Sequence, residues 1–326
     1  MNLSKISLIL KGTGMGIAEV IPGVSGGTIA FITGIYHELI NCIKAFDIEM
    51  LTMIKKGQFK KAVEKINPGF LIWLMIGMVA GILIGILFIS HMLETYPEVL
   101  WAAFFALILA SIPYMIRSLK SPSWKLIPVF IVALLLAYMI TRLTPVSASE
   151  NYLYIFFGGM VAIVALVLPG ISGSFILLLI GLYTLIIPTL KNFLSDPGYD
   201  EFKILSFFAL GCIAGLVVFS RLVSAAFEIF HDTTVIAMTG FMIGSLNKIW
   251  PWRNPLTLLN KETGETIAFN TADHLASLGH EELKVLEETN VLPSEYVGDP
   301  HTTIVIVVFF VFTVLVFAMS RFAKKL

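Results

Sequence analysis

The longest uncharged stretch of this chain is too long to be one membrane-spanning helix. Residues 151–190 carry no acidic or basic side chain. A straight helix of that length would extend about 60 Å, roughly twice the hydrocarbon core of a bilayer. The stretch is interrupted by Leu168-Pro169-Gly170-Ile171-Ser172-Gly173-Ser174, and proline and glycine break helices. We therefore expect a broken hairpin within the membrane.

The composition favours an integral membrane protein. Hydrophobic residues make up 57% of the 326 positions and charged residues 13%, whereas about 25% charged residues is usual in a soluble domain. Other uncharged stretches of spanning length occur at 70–90, 99–116, 126–141, 204–220, 233–247 and 302–320. The net charge of zero gives no basic field for nucleic acid. Two isolated cysteines, Cys42 and Cys212, predict neither a metal site nor a bound cofactor.

The N-terminal stretch 12–37 carries a second copy of the break. It reads Ile21-Pro22-Gly23-Val24-Ser25-Gly26-Gly27-Thr28, and a shift of 147 residues aligns it with the copy at 168–174. Farther along, Gly81 and Gly85 resemble Gly211 and Gly215, although a register one turn away fits nearly as well. We therefore expect two units, residues 1–142 and 143–326. Each is a broken re-entrant hairpin followed by three transmembrane helices, and the second holds an insert at about 251–301.

The charges of the loops predict the orientation. Lysine and arginine cluster in the loops at 44–65 and 117–125, whereas the loops on the other side are acidic. The positive-inside rule then places both termini in the cytoplasm and the insert outside the cell. An odd number of crossings per unit requires the second unit to be inverted. The predicted fold is all-α, with two inverted repeats crossing the cytoplasmic membrane; within the insert, Glu281–Glu287 has a helix-like pattern.

Paired broken helices in inverted repeats indicate a transporter site near the middle of the membrane. A break leaves backbone N–H groups at a helix start, where the partial positive charge suits an anion such as phosphate. The alternative is a tight helix–helix contact made by small residues. The candidate binding residues in the two breaks are Pro22, Gly23, Ser25, Gly26, Gly27 and Thr28, and Pro169, Gly170, Ser172, Gly173 and Ser174.

Two charged residues are further candidates. Glu19 is the single charge within 12–37, and a carboxylate is costly in hydrocarbon. It is interpreted as a proton carrier or gate, with a structural carboxyl as the alternative. Arg221 follows an apolar run and is interpreted as a charge partner for phosphate at the cytoplasmic end. Its alternative is snorkelling to the interface.

The run Ala18–Ala30 closely resembles the first signature of a bacterial and archaeal membrane family, long labelled a domain of unknown function and now assigned to polyprenyl-phosphate translocation. Leu168–Ser174 looks like its second signature. The resemblance implies a non-enzymatic flippase whose partner is undecaprenyl phosphate. It implies return of this lipid carrier of cell-wall precursors from the outer to the inner leaflet. Coupling to protons or another ion, and the oligomeric state, stay open.

Two other functions share parts of this pattern. Undecaprenyl-pyrophosphate phosphatases have inverted repeats and a Pro-Gly-x-Ser-Arg-Ser motif, but this chain has Gly26 at the position of that arginine. A phosphatase would need the arginine to neutralise charge in the transition state. An ion channel or small-solute carrier would require a continuous water path, whereas a lipid carrier requires a lateral opening to the bilayer.

Overall fold

The protein is mostly helical, as the sequence predicts. The structure, a computed structural model, describes residues 5–20, 24–146, 149–170, 172–260, 266–268 and 283–323. The helices of the N-terminal part are α1 Lys5–Val20, α2 Gly26–Ile32, α3 Tyr36–Lys44, α4 Ile48–Lys55, α5 Phe59–Lys65, α6 Pro68–Thr95, α7 Pro97–Arg117 and α8 Ile127–Thr141. Those that follow are α9 Tyr152–Val167, α10 Gly173–Leu179, α11 Tyr183–Ser195, α12 Tyr199–Ile229, α13 His231–Ser245 and α14 Thr302–Ala323.

Several of these helices are long and apolar enough to cross a membrane. In the described part of the chain they are Pro68–Leu93 of α6, α7, the stretch Trp124–Thr141 that contains α8, and α12. Helices α10 and α11 form a pair bent by 108°, which raises the number of such spans from four to five. The sequence predicts six full spans besides the hairpins. Two of the six are not among these spans. Helix α13 falls short because it ends at Ser245 after 15 residues, where a 3-10 turn, Leu246–Ile249, begins. The apolar part of α14, Thr302–Ala318, is also too short.

Polar caps fix where several helices begin. The side chain of Asn67 accepts a hydrogen bond from the N–H of Phe70, and Pro68 occupies the first turn of α6. Asn151 caps α9 in the same way, accepting from the N–H of Leu153 at 2.8 Å. A side-chain oxygen at this position satisfies N–H groups that have no partner within the helix.

The 147-residue spacing of the sequence recurs in the helices. Helices α1 and α9 begin and end 147 residues apart, and so do α2 and α10. Gly34 and Gly181, which follow the two short helices, both have φ of +74°. The packing recurs as well, because α1 lies against α6 and α9 lies against α12. In addition, α7 packs against α14 and α8 packs against α13.

Glycine contacts decide the register between the two units. A Cβ at Gly77 would clash with the Ile9 carbonyl on α1, and one at Gly211 would clash with the Phe156 carbonyl on α9. Ile9 and Phe156 are 147 residues apart, which makes Gly77 the equivalent of Gly211. These contacts favour the register one turn away from the pairing of Gly81 with Gly211. Small residues at these crossings allow the helix backbones to approach closely.

The insert contains a β-sheet that the all-α prediction missed. Strands β1 Arg253–Asn260, β2 Thr266–Ala268 and β3 Leu283–Asn290 form an antiparallel sheet in the order β2-β1-β3. The helix-like reading of Glu281–Glu287 is wrong within the described residues, since β3 pairs with β1 there. Leu258 opposite Val285 is buried, and such pairing outweighs the helix propensity of glutamate and leucine.

Candidate functional site

The two breaks contact each other directly within the main hydrophobic cluster. The hydroxyl of Ser25 lies 2.9 Å from the Leu166 carbonyl and 3.0 Å from the Leu168 carbonyl. The hydroxyl of Thr28 accepts a hydrogen bond of 3.0 Å from the N–H of Gly170. A Cβ at Gly27 would clash with the carbonyl of Val167, so only glycine permits this approach. Pro22 and Gly23, two of the candidate residues, lie outside the described residues.

The first break is closed by groups of the protein itself. The N–H of Gly26 donates to the Glu19 carboxylate at 2.8 Å, and the N–H of Gly27 donates to the Ser25 hydroxyl at 3.0 Å. Both N–H groups belong to the first turn of α2, where positive partial charge attracts an anion. Glu19 therefore lies at the position where the sequence predicts a bound anionic oxygen. Ser25 and Thr28 are fully buried.

The second break is tightly enclosed. Gly170 has φ of +95°, and a Cβ there would lie 2.9 Å from the backbone of Met242. Pro169 is buried, and a Cβ at Gly173 would lie 2.7 Å from the Ala162 carbonyl. The hydroxyls of Ser172 and Ser174 are 2.8 Å apart and share a hydrogen bond. The start of α10 differs from that of α2, because the Ser172 side chain makes no cap hydrogen bond to it.

A small cavity adjoins the second break. Gly170, Ser172, Thr141 and Lys248 are among its lining residues, and its volume is about 10 Å³. This is close to the space that one water molecule needs. Lys248 approaches the break from the 3-10 turn after α13, with its ammonium 5.3 Å above the Phe175 ring. The sequence analysis missed Lys248, although a lysine on the side predicted to be outside departs from the positive-inside pattern.

The structure does not bring Arg221 to the breaks. Arg221 is exposed on α12 and makes no hydrogen bond or ion pair within the described part of the chain. Its charge acts instead on Asp47, which caps α4. Burial works to raise the pKa of Asp47, but hydrogen bonds from Lys65 and the Met50 N–H, with the charges of Lys65 and Arg221, outweigh it and lower the pKa.

The described residues contain no cluster of three His, Cys, Asp or Glu side chains that could hold a metal ion. What the arrangement offers is two buried breaks joined by the Ser25 hydroxyl and the Gly170 N–H, each of which donates to the opposite break. Such a pair can exchange internal hydrogen bonds for bonds to an anion if the two loops separate.

Comparison with known proteins identifies similar membrane transporters. A family model described as VCA0040-like, undecaprenyl phosphate translocase-like, matches residues 15–267. A polyprenyl-phosphate transporter of Vibrio cholerae serotype O1 is 39% identical over 266 residues, which is 82% of this chain and 84% of that protein. A polyprenyl-phosphate transporter of Staphylococcus aureus is 28% identical over 255 residues, 74% of this chain and 85% of that protein. No solved structure matches the chain.

Proposed function

This chain belongs to the undecaprenyl phosphate translocase-like family, and from that premise we propose that it carries undecaprenyl phosphate from the outer to the inner leaflet of the cytoplasmic membrane. The returned lipid then serves again as a carrier of cell-wall precursors. The names of the relatives in Vibrio cholerae and Staphylococcus aureus support the substrate class. The observation that carries the proposal is the direct contact of the two breaks through Ser25 and Thr28, because irregular backbone at membrane depth is tolerated only where protein buries it or where it lines a cavity.

An inverted repeat is part of the proposal. The equal spacing of α1 and α9 and the crossed packing of α7 with α14 and α8 with α13 support two equivalent units. The lysine-rich loops support placing both termini inside the cell. Inversion of one unit relative to the other would let the same pair of breaks face either leaflet in turn.

The headgroup would cross between the breaks while the polyprenyl tail stays in lipid. In the described conformation Ser25 bonds the carbonyls of Leu166 and Leu168, and the Gly26 N–H bonds Glu19. Separation of the two loops would release these donors to the phosphate. The N–H groups and hydroxyls of Gly27, Thr28, Gly170 and Ser172 to Ser174 would then hold it.

The charge of the phosphate requires compensation. A helix start contributes only about 0.3–1 kcal/mol where exposed and up to about 2 kcal/mol where partly buried, which is less than the desolvation cost of a phosphate. We propose that a proton taken up by Glu19 weakens its bond to the Gly26 N–H and removes a competing negative charge. Arg221, exposed on α12, would meet the headgroup as it leaves at the cytoplasmic end.

A phosphatase reaction is disfavoured by the space at Gly26. The related phosphatase motif has an arginine at this position, but a Cβ here would lie 2.5 Å from the Glu19 carboxylate oxygen. An arginine side chain would therefore displace Glu19 from the start of α2. The space that the arginine side chain would need holds the Glu19 carboxylate in this chain.

Reconstitution into liposomes tests the function. Purified protein should equalise or redistribute polyprenyl phosphate between leaflets, measured by the lipid accessible to an added phosphatase outside the vesicle. The same liposomes loaded with polyprenyl pyrophosphate should release no inorganic phosphate above protein-free vesicles. Release of phosphate without movement of lipid would show an enzyme instead of a transporter.

A further inference from the structure

A polar pocket of about 180 Å³ lies where the end of α8 meets the 3-10 turn Leu246–Ile249 and the sheet of the insert. Three basic side chains line it, Arg142, Lys248 and Arg253, together with two acidic ones, Glu287 and Glu288. These residues come from parts of the chain more than a hundred positions apart. The pocket is separate from the small cavity at the second break, although Thr141 and Lys248 line both.

Arg253 is held firmly in the wall of this pocket. Its side chain is only 9% exposed, and its guanidinium donates to Glu288 at 2.7 Å. The guanidinium carbon lies 4.3 Å above the Trp101 ring, which fixes the plane of the group. The Nε–H of Arg253 is nevertheless buried without an acceptor among the described residues. Buried polar groups are nearly always hydrogen-bonded, so Arg253 has one donor left to offer to an acceptor.

The basic side chains of the pocket outnumber the acidic ones that pair with them. Glu288 interacts with both Arg253 and Lys248, at 2.7 Å and 3.8 Å. Glu287 is exposed and accepts a hydrogen bond from Thr257. Arg142 is exposed and has no ion pair within the described residues. The lining therefore has one positive charge in excess, as a site for a phosphate monoester would.

The pocket leads toward the second break. Thr141 and Lys248 line both this pocket and the small cavity beside Gly170 and Ser172. A ligand in the pocket would thus be separated from the break by these two side chains. On the other side, Leu143 and Leu256 line the pocket and are 59% and 46% exposed. Exposed apolar side chains beside a cationic pocket suit a ligand with a charged head and a hydrocarbon chain.

We infer that this pocket binds the phosphate headgroup of the polyprenyl lipid on the side of the insert, with Arg253 and Lys248 as the phosphate ligands, before the headgroup passes Thr141 to the second break. The inference rests on the proposed function, because it takes the transported lipid as the ligand. Lys248 would move with the headgroup from the pocket toward the cavity, since it borders both. Arg142 would add charge at the rim.

Binding of farnesyl phosphate to the purified full-length protein in detergent tests this inference. Lys248→Gln should weaken binding by about tenfold or more, the loss expected for one hydrogen bond to a charged group. Lys203→Gln is the matched control. Lys203 also lies over an aromatic ring, Tyr199, and beside a carboxylate, Asp200, but outside the pocket. It should bind like the unaltered protein.

The outcomes separate the possible ligands. Farnesol should not compete, and inorganic phosphate should compete only weakly; equal competition by inorganic phosphate would overturn the assignment to a lipid. Arg142→Gln should also weaken binding of farnesyl phosphate. Because Arg142 is exposed, this variant replaces Lys248→Gln in the test if Lys248→Gln does not fold. Unchanged affinity in a folded Lys248→Gln protein that still transports lipid would overturn the pocket alone. If the unaltered protein binds no farnesyl phosphate, the proposed function fails with it.

Discussion

At the scale of single residues, the two breaks are built from groups that satisfy one another. Ser25 serves twice, since its oxygen accepts from the Gly27 N–H and its hydrogen reaches the carbonyls of the opposite loop. Glu19 supplies the negative charge that the start of α2 favours. The side chains that would bind phosphate are therefore the same ones that close the resting structure.

Replacing Gly27 with alanine should force the breaks apart. The new Cβ would clash with the backbone carbonyl of Val167, which cannot turn aside as a side chain can. Overpacking of this kind costs about 1–3 kcal/mol, so the melting temperature in detergent should fall and transport should be lost. Gly69→Ala is the control, because nothing lies within 4 Å of the added Cβ. A Gly27→Ala protein with an unchanged melting temperature and full transport would contradict the close contact of the breaks.

Replacing Glu19 with glutamine should change the pH dependence of transport without preventing insertion. Glutamine keeps an oxygen that can accept from the Gly26 N–H, but it cannot take up or release a proton. Transport in liposomes should therefore lose the part of its pH dependence that the carboxyl supplies. If the variant transports normally at every pH tested, Glu19 has no part in coupling.

At the scale of elements, the short helices α4 and α5 of the lysine-rich loop are held together by a few polar contacts. The Asp47 carboxylate caps α4 by accepting a hydrogen bond of 2.8 Å from the Met50 N–H. Lys65, at the end of α5, donates to both carboxylate oxygens of Asp47. Lys65 also bonds Glu49 at 2.6 Å. One lysine thus ties the two helices of a positively charged loop together, although that loop has few apolar contacts of its own.

Substitutions of Asp47 separate its two contributions. Asp47→Asn keeps a cap acceptor and loses the charge, whereas Asp47→Ala loses both and should cost about 1 kcal/mol more. The pKa of Asp47 is lowered below its ordinary value of 3.8. A lowered folded-state pKa means that the charge stabilises the fold above the unfolded pKa and that this stability is lost as pH falls through the folded pKa.

Thermal unfolding of these variants in detergent measures both effects. The difference between Asp47→Asn and the unaltered protein should be present at neutral pH and should shrink at acidic pH, as the pH falls below the ordinary pKa of 3.8. The additional loss of stability in Asp47→Ala, which comes from the missing cap acceptor, should persist at neutral and at acidic pH. A difference for Asp47→Asn that grows as the pH falls would have the wrong sign for a charge stabilised by Lys65.

At the scale of the whole molecule, the sheet of the insert is fastened to the helical body. The indole N–H of Trp250, which follows the 3-10 turn after α13, donates to the Val291 carbonyl at 2.9 Å. Trp252 is buried in a cluster with Ala102 of α7 and Val305 of α14. His301 lies 2.7 Å from Glu98, a buried carboxylate on α7. These contacts place the insert at the same end of the molecule as the basic pocket, so its position bears on access to that pocket.

Labelling of single cysteines should establish the orientation. In a background without Cys42 and Cys212, a cysteine at Leu292, which is 60% exposed in the insert, should react with an impermeant maleimide on intact cells. A cysteine at Lys60, exposed in the lysine-rich loop, should react only after the cells are opened. The reverse pattern would overturn the proposed orientation and move the basic pocket to the cytoplasmic side.

How far the sequence predicts this molecule depends on whether a feature is local. Pro169 and Gly170 end α9 by their own backbone restrictions, so the break is visible in the sequence. The sheet is not visible in the sequence, because its strands β1 and β3 pair across more than twenty intervening residues. The basic pocket is not visible either, since Arg142, Lys248 and Arg253 meet only through the packing of α8 on α13. Arg221 lies exposed on α12, away from the breaks, so its contact with the headgroup at the cytoplasmic end stays a prediction.

The hydrogen bonds that join the two breaks have a consequence for the membrane voltage. A bacterial membrane stores a voltage, and a protein with loose polar groups across its centre would conduct protons and discharge it. Here the Ser25 hydroxyl, the Thr28 hydroxyl and the Glu19 carboxylate each end on a partner inside the protein. In the described part of the breaks, these groups therefore do not form a continuous hydrogen-bonded path along which water could carry protons. We expect the protein to be an electrical insulator at rest, so that it can stay in the membrane permanently without leakage.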